Sequence, residues 1–340
     1  MYRLVPHYIV VSFCLLFIAS CSSDDFLDNN ATNSNFTDVI IPENENNKST
    51  KDTTSSGVLP SVLPIDDSDN SETIPKVTYQ TIMKLDGNIS PHPQGGDCWE
   101  NFFFQFSNEN RIVRIYDLDK KILIQTYSLE EKDRGFVPNC HCNSVCFGPE
   151  YYSTSDEFPL LYVSTGYPKN GYSGALVYRV LKNNGEFSLS LVQTLRFPSF
   201  NGVSWTEFIP STKTSFLCCG NSVYVISSPS FKDGDIIISQ KDTVETIALP
   251  KRPEWISSSR GQGHFYYRGR LLLTAGVPQS GEESIFLDYN LKDRKLEAII
   301  NFKDLGIHSE SESIFIWKNN LCIAFTDRII NLITNGFDLF

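Results

Sequence analysis

Short runs of alternating apolar and polar residues, separated by polar turns, recur along the C-terminal part of the chain. The clearest set lies within residues 102–129, where FFFQF, RIVRIYDL and ILIQTYSL are separated by turns at 107–110 and 119–121. Runs this short, rich in aromatic and β-branched residues, are typical of an antiparallel meander. Together with an inner strand around 97–101, they predict one four-stranded sheet.

Similar units recur to the C-terminus. The second is predicted at 141–147, 160–164, 175–181 and 189–197, the third at 204–209, 215–219, 222–227 and 243–249, and the fourth at 263–267, 270–275, 284–291 and 296–302. The last unit shows three strands, at 312–317, 321–326 and 328–334, while a lone strand at 77–85 precedes the first.

Each such sheet has two apolar faces, which only neighbouring sheets can cover. The pattern therefore predicts an all-β fold, a β-propeller of five blades with four antiparallel strands each, in which the N-terminal strand closes the last blade. A β-sandwich is the competing fold. It explains the alternation, but neither the matching units nor the lone strand.

The N-terminus has the pattern of an export signal. Arg3 precedes an apolar run of ten residues at 8–17, which is too short to span a bilayer comfortably. The run ends in Ile18-Ala19-Ser20-Cys21, which resembles a bacterial lipobox and implies a signal peptide at 1–20 and a lipid on Cys21. A plain secretory signal with a chance cysteine is the alternative. Asp24-Asp25 resembles the surface-export signal of lipoproteins from Bacteroides-like bacteria, which implies an outer-membrane protein facing the cell exterior.

Residues 21–75 carry the lipidated cysteine and a predicted disordered tether. The segment is rich in Asn, Ser, Thr and Asp, and its apolar residues come only in ones to threes. Such a composition buries too little apolar surface to offset the entropy of ordering. The propeller domain is therefore expected at 76–340, with the membrane as a partner through the lipid.

Composition and charge narrow the function classes. The 340 residues are 41% hydrophobic and 13% aromatic with two methionines, which favours strands over packed helices. A net charge of −11 argues against a nucleic-acid partner, because phosphate binding requires clustered lysine and arginine.

Polar residues stand at the starts of the predicted inner strands, where propellers bind ligands. A polar, net-acidic ring of this kind suits hydroxyl-rich or cationic groups, or a metal ion, whereas the structural alternative is that these residues cap strands and bond neighbouring backbones. Gln94-Gly95-Gly96 in the first unit echoes Gln262-Gly263-His264 in the fourth. The candidate binding residues are Gln94, His141, Asn143, Trp205, Glu207, Gln262, Glu310 and Glu312.

Two of these patterns resemble five-bladed propellers of the helveticin J type. They are His-x-Asn before an apolar run at 141–147 and Glu-Ser-Glu-Ser-Ile at 310–314. The patterns of those propellers are nearer His-Ala-Asn-Asp and Glu-x-Glu-Gly, so Ser144 and Ser313 depart from them. FPLLYVS at 158–164 is similar to propeller lipoproteins of Bacteroides-like bacteria, and the resemblance covers about 76–340.

Seven cysteines follow the predicted lipidation site, so at least one is unpaired in any disulfide scheme. Cys142 and Cys146 fall on one strand about 13 Å apart, too far to share a zinc ion. Free, buried cysteines are favoured, and a bridge from Cys140 or Cys142 to Cys98 is the alternative. No cofactor is predicted, while a structural or channel-bound metal ion stays open.

Two function classes remain. No Gly-x-Ser-x-Gly, phosphate-binding Gly-Lys loop or His-Glu-x-x-His occurs. The favoured class is a non-enzymatic binding module for a glycan, peptide or partner protein, with Trp205, Trp255 and Tyr266 stacking on sugar rings. The alternative is a carbohydrate-active or other hydrolytic propeller that uses the carboxylates and histidine of the inner-strand starts. Converging carboxylates, one with a raised pKa, would favour the enzyme.

The lipidation hypothesis makes a direct prediction for Cys21→Ser. Because the thiol carries the lipid, the variant is expected in soluble fractions, whereas the unchanged protein sediments with membranes. The measurement is fractionation followed by immunoblotting, with Cys14→Ser as the matched control that keeps the wild-type distribution. Retention of Cys21→Ser in the membrane fraction would contradict the hypothesis.

Overall fold

The protein is a five-bladed β-propeller in which each blade contains four antiparallel strands. The computed structural model describes residues 76–86, 90–109, 111–135, 141–167, 172–200, 206–253 and 261–335. The predicted signal peptide, Cys21 and the tether lie outside these ranges. No helix in the described ranges is long and apolar enough to cross a bilayer.

The blades follow one another along the chain, and each begins with its inner strand. Blade one contains β2 (Pro93–Trp99), β3 (Phe102–Ser107), β4 (Ile112–Asp117) and β5 (Ile122–Ser128). Blade two contains β6 (His141–Phe147), β7 (Leu161–Tyr167), β8 (Tyr172–Asn183) and β9 (Glu186–Arg196). Blade three contains β10 (Thr206–Ile209), β11 (Thr214–Cys219), β12 (Ser222–Ser227) and β14 (Thr243–Ala248).

Blade four contains β15 (Gly261–Tyr267), β16 (Arg270–Ala275), β17 (Ile285–Asn290) and β18 (Lys295–Asn301). Blade five contains β19 (Ser311–Trp317), β20 (Asn320–Phe325), β21 (Arg328–Asn335) and β1 (Lys76–Lys84). Short 3₁₀ turns connect the strands at Glu131–Asp133, Pro198–Phe200, Phe231–Asp233, Gln240–Asp242, Pro278–Ser280 and Phe302–Leu305. Because successive strands alternate in direction, every inner strand begins at the same end of the ring, which we call the mouth end.

The N-terminal strand closes the ring. Strand β1 pairs antiparallel with β21 from Lys76 opposite Asn335 to Lys84 opposite Arg328, with one bulge between Thr81 and Met83. The lone strand predicted at 77–85 is therefore confirmed as the outer strand of the last blade. Without this pairing, one edge of β21 would be exposed, whereas in the closed ring β20 pairs with one side of β21 and β1 with the other.

The hydrophobic core consists of layers between adjacent blades. Five clusters of buried apolar residues occur in the described chain, each dominated by residues of two neighbouring blades. Between blades five and one, for example, the rings of Phe103 and Phe315 stack with centroids 4.8 Å apart. Each blade therefore depends on both neighbours for burial, as the two-faced hydrophobic pattern predicts.

Tight hairpins at residues with positive φ join many of the strands. Asn184 and Gly185, with φ of 52° and 86°, form the turn between β8 and β9. Both central residues of a type I′ turn need φ above zero, and asparagine and glycine meet this requirement at low cost.

Two features differ from the sequence-based expectation. The first inner strand runs from Pro93 to Trp99 rather than over 97–101, because the glycine-rich start of β2 pairs with β3 across a bulge. In addition, the strand β13 (Ile236–Ile237), which follows β12 in the chain, leaves blade three and pairs parallel with β9 of blade two. The carboxylate of Asp235 stabilises this pairing by accepting a hydrogen bond from the Thr194 amide at 2.7 Å.

Ring closure predicts that the strand β1 is essential to stability. Deletion of Lys76–Lys84 removes the buried side chains of Val77, Ile82 and Met83 and exposes the edge of β21. We expect the free energy of unfolding to fall by at least about 3 kcal/mol, since each buried apolar side chain contributes about 1.5–3 kcal/mol. Urea denaturation measures it. Deletion of nine residues at 62–70, in the predicted tether, is the control, and equal stability of the two variants would contradict closure by β1.

Candidate functional site

β-Bulges interrupt four of the inner strands close to their starts. The register shifts between Pro93 and Gly96 in β2, between Cys142 and Ser144 in β6, between Gly261 and His264 in β15, and between Ser311 and Ser313 in β19. A bulge inserts an extra residue and re-aims its side chain. Four predicted binding residues occupy these shifts: Gln94, Asn143, Gln262 and Glu312.

The re-aimed side chains form amide–carboxylate pairs between blades. Gln94 of blade one donates through Nε2 to Glu312 Oε1 of blade five at 3.5 Å. Gln262 of blade four donates through Nε2 to Glu310 Oε1 at 2.5 Å. The Asn143 side chain in blade two bonds to the carboxylate of Glu207 in blade three. The polar residues thus join neighbouring blades at the mouth end.

The inner strands approach each other so closely that glycine is required beside two of the amides. A Cβ atom on Gly95 would lie 2.4 Å from the carbonyl oxygen of Asn143, and one on Gly263 would lie 2.9 Å from Cα of Ser313. Neither distance leaves room for a methyl group between backbones. This close approach is the physical reason for the repeated Gln-Gly pattern in blades one and four.

A hydrogen bond crosses the ring below these pairs. Ser144 of blade two donates through Oγ to the carbonyl oxygen of His264 in blade four at 3.2 Å, although the two blades are not neighbours in the ring. The Cys146 thiol lies 3.8 Å from the same carbonyl. Inner strands therefore meet at the axis, and Ser144 makes this contact.

Burial strongly perturbs the titratable groups of the site. Desolvation raises the pKa of Glu207 to about 8, against the opposing effect of hydrogen bonds from Asn143 and Ser164. Desolvation and the nearby charge of Glu310 raise the pKa of Glu312 well above its ordinary value. Desolvation also lowers the pKa of His141 to about 4, helped by His92. At neutral pH this end of the ring therefore holds protonated carboxyl groups and neutral imidazole.

Asp97 makes a further buried link between blades one and two. Its carboxylate accepts hydrogen bonds from the amides of Cys98 and Phe147, each at 2.7 Å. Burial raises the pKa of Asp97 to about 7, while these two bonds oppose the shift. Asp97 belongs to the Gln94-Gly95-Gly96-Asp97 run, but nothing in the local pattern distinguishes it from an ordinary turn residue.

Several buried oxygen atoms of the paired side chains have no donor in the described part of the chain. They are Oε1 of Gln94, Oδ1 of Asn143, Oε2 of Glu207 and Oε2 of Glu312. A buried acceptor without a donor costs about 1–3 kcal/mol. The site therefore offers amide oxygens as acceptors, and carboxyl groups that donate while protonated and accept once ionised, to a polar or positively charged ligand.

His92 joins two of the predicted carboxylates, although the sequence did not single it out. One ring nitrogen of His92 and one oxygen each of Glu310 and Glu312 all lie within 4.8 Å of one another. His92 precedes β2 by one residue, and the Arg114 side chain fixes the preceding residue by donating through Nη2 to the Pro91 carbonyl at 2.9 Å. Only the proximity of blades five and one, which the sequence does not show, brings these residues together.

The predicted binding residues differ in accessibility. Gln94, Asn143, Glu207, Gln262, Glu310 and Glu312 are buried, none more than 7% exposed, whereas His141 is half-buried. Trp205 and Trp255 lie outside the described residues. Tyr266 is half-buried, and its ring packs against Phe216 with centroids 4.3 Å apart, so its stacking on a sugar stays a prediction.

Two other expectations have structural counterparts in the described chain. The cysteines at 98, 146, 218 and 322 are free and buried, in agreement with the favoured interpretation, while Cys140 lies outside the described residues. A cavity of about 70 Å³ lies at the opposite end of the ring, lined by Pro149, Glu150 and Pro210 among others. It is far smaller than the roughly 300–1,000 Å³ of ordinary ligand pockets.

A glutaminyl cyclase from Myxococcus xanthus is a similar solved structure, with a TM-score of 0.45 and 11% identity, covering 77% of this chain and 96% of that chain. No family model matches the chain, and no curated protein matches it.

The raised pKa of Glu207 predicts a pH-dependent stability. Between about pH 5 and pH 8 the native state keeps this proton while the unfolded state has lost it, so the free energy of unfolding should fall as pH rises. Each pKa unit corresponds to about 1.4 kcal/mol. Glu207→Gln, which carries no titratable proton, should reduce the fall by several kcal/mol.

Urea denaturation of both proteins between about pH 5 and pH 9 measures the difference. Glu186→Gln, at an exposed position on β9, is the control and should keep the wild-type profile. Parallel profiles for the wild type and Glu207→Gln would contradict a buried, protonated Glu207.

Proposed function

We propose that the protein is a non-enzymatic binding module whose mouth end holds a hydroxyl-rich ligand, most simply a glycan. The observation that carries the proposal is the set of buried amide and carboxyl oxygens without a hydrogen-bond partner in the described residues, on Gln94, Asn143, Glu207 and Glu312. Sugar hydroxyls both donate and accept hydrogen bonds, so they can pair with amide oxygens and with carboxyl groups in either protonation state.

The half-buried His141 supplies the accessible part of this proposed site. His141 is the first residue of β6, two residues before Asn143. Its imidazole lies close enough to His92 for the two rings to influence each other electrostatically. With its lowered pKa the ring is neutral at physiological pH, so it offers one donor and one acceptor to a neutral ligand. This chemistry suits an uncharged sugar better than an anionic one.

The engagement of the carboxylates supports binding rather than turnover. Glu310 and Glu312 already accept hydrogen bonds from Gln262 and Gln94, and both are at least 93% buried. A general acid or base must come within hydrogen-bond distance of a reacting group of the substrate. These buried carboxyl groups are better placed to link the blades and to bind one small group of a ligand than to contact the scissile bond of a polymeric substrate.

A hydrolytic propeller is the second candidate, and one observation favours it. Glu312 has a strongly raised pKa beside a second carboxyl group on Glu310, and pairs of carboxyl groups with separated pKa values serve as acid and base in glycoside cleavage. Release of reducing sugar from a bound glycan, abolished in Glu312→Gln, would establish this candidate over the binding module.

The lipid on Cys21 completes the proposal. The lipobox-like sequence and the acidic pair at 24–25 support anchoring in the outer membrane, with the propeller facing the cell exterior. A polar tether of about fifty residues has a mean reach of roughly 40 Å. A binding domain on such a tether would reach glycans beyond the lipid surface.

The binding proposal is tested with the full chain carrying Cys21→Ser on a glycan array. A glycan found there is then titrated calorimetrically against His141→Ala, which should weaken binding at least about tenfold, or 1.4 kcal/mol, while the melting temperature changes little. Lys292→Ala, in an exposed turn at the opposite end of the ring, is the control and should bind normally. Absence of glycan binding by the folded protein, or equal affinity of the His141 and Lys292 variants, would contradict the proposal.

A further inference from the structure

The strongest convergence of ligand-type side chains outside any assigned role lies between blades five and one. His92 comes from blade one, and Glu310 and Glu312 come from the start of blade five. One donor atom from each lies within 4.8 Å of the other two. Three donors bound to one metal ion at about 2.1 Å are about 3.0–3.6 Å apart, so side-chain movements of about 1 Å would complete the geometry.

A second observation points to a missing ligand at the same place. Gln94 is 3% exposed, its amide contacts Glu312, and its Oε1 has no hydrogen-bond donor in the described residues. Oε2 of Glu312, which is fully buried, also lacks a donor there. These two buried oxygens, on Gln94 and Glu312, lie beside the carboxyl group of Glu310 and the imidazole of His92 without a hydrogen-bond partner in the described residues. Such an arrangement is unfavourable, and one positive ion would stabilise it.

We propose that His92, Glu310 and Glu312, with the amide oxygen of Gln94, bind one divalent first-row transition-metal ion. The donor set contains one imidazole nitrogen and three oxygens, which suits Mn²⁺ or Zn²⁺. Calcium prefers six to eight oxygen donors and so fits this set less well.

The proposed ion would act on the ring as well as on the ligand. Its donors come from the two blades that the strand β1 joins, so the ion would cross-link the closure of the propeller on its inner side. Gln262 of blade four donates to Glu310 Oε1 and orients that carboxylate, in the way that outer hydrogen bonds orient metal ligands. The inference rests on the proposed function only in that both proposals place a ligand at Gln94 and Glu312.

Mn²⁺ is the probe of choice because it prefers oxygen and nitrogen donors to the free thiols of this chain. The full chain is freed of metal with a chelator and titrated with Mn²⁺, while the six-line electron paramagnetic resonance signal of the free ion reports binding. We expect one ion per chain and a rise in melting temperature with the ion. His92→Ala and Glu312→Gln should each weaken binding at least about tenfold.

The controls are Glu186→Gln and Lys292→Ala, which remove an exposed carboxylate and an exposed ammonium group outside the proposed site and should bind Mn²⁺ as the wild type does. If circular dichroism shows that Glu312→Gln is unfolded, the affinity of His92→Ala for Mn²⁺ is the deciding measurement. His92 is half-buried, and its replacement leaves the pairs between the glutamine amides and the carboxyl groups in place. No binding of Mn²⁺ or Zn²⁺ by the folded wild type at about 1 mM would overturn the inference. Unchanged affinity in His92→Ala, or tighter binding of Ca²⁺ than of Mn²⁺, would also overturn it.

Metal binding and glycan binding are distinguished by measuring each without the other. The titration with Mn²⁺ contains no glycan, and a glycan array run in chelator contains no metal. Loss of metal binding with retained glycan binding rejects this inference alone. Metal binding without glycan binding rejects the proposed function and leaves the metal site.

Discussion

The pairing of β1 with β21 is the interaction on which the rest of the structure depends. Every blade buries two apolar faces against its neighbours, so an open ring would leave two such faces in water. The fourth strand of blade five comes from the beginning of the domain, and only its pairing brings the last blade against the first. Closure therefore also brings His92 of blade one to Glu310 and Glu312 of blade five.

Closure of only five blades forces the inner strands close together, and the chemistry of the mouth end follows from this crowding. Backbones approach at Gly95 and Gly263, and Ser144 bonds directly across the ring to His264. Polar side chains re-aimed by the bulges are consequently held away from water, which raises the pKa of Glu207 and Glu312 and lowers that of His141. The same burial makes each acceptor without a donor costly, which favours a bound ligand or ion.

The amide–carboxylate pairs reconcile the structural and the binding interpretations of these residues. Gln94, Gln262 and Asn143 each satisfy a carboxylate of another blade, as the structural interpretation expects. However, the pairs leave oxygens unused, because one amide has too few donors for the four lone-pair sites of a carboxylate. A residue can therefore link the blades and still offer an acceptor to a ligand.

The sequence by itself determined the architecture, because strand periodicity is a local property. In addition, a lone strand before four full units and one three-stranded unit indicates that this strand completes the last unit. It also marked Gln94, Asn143, Gln262 and Glu312, since polar residues at the starts of buried strands stand out from their surroundings. Only the tertiary structure decided that these positions are bulged, that Ser144 spans the ring, and that His92 meets Glu310 and Glu312. Those facts depend on distances between blades, which no local pattern encodes, because they are set by how closely the closed ring packs.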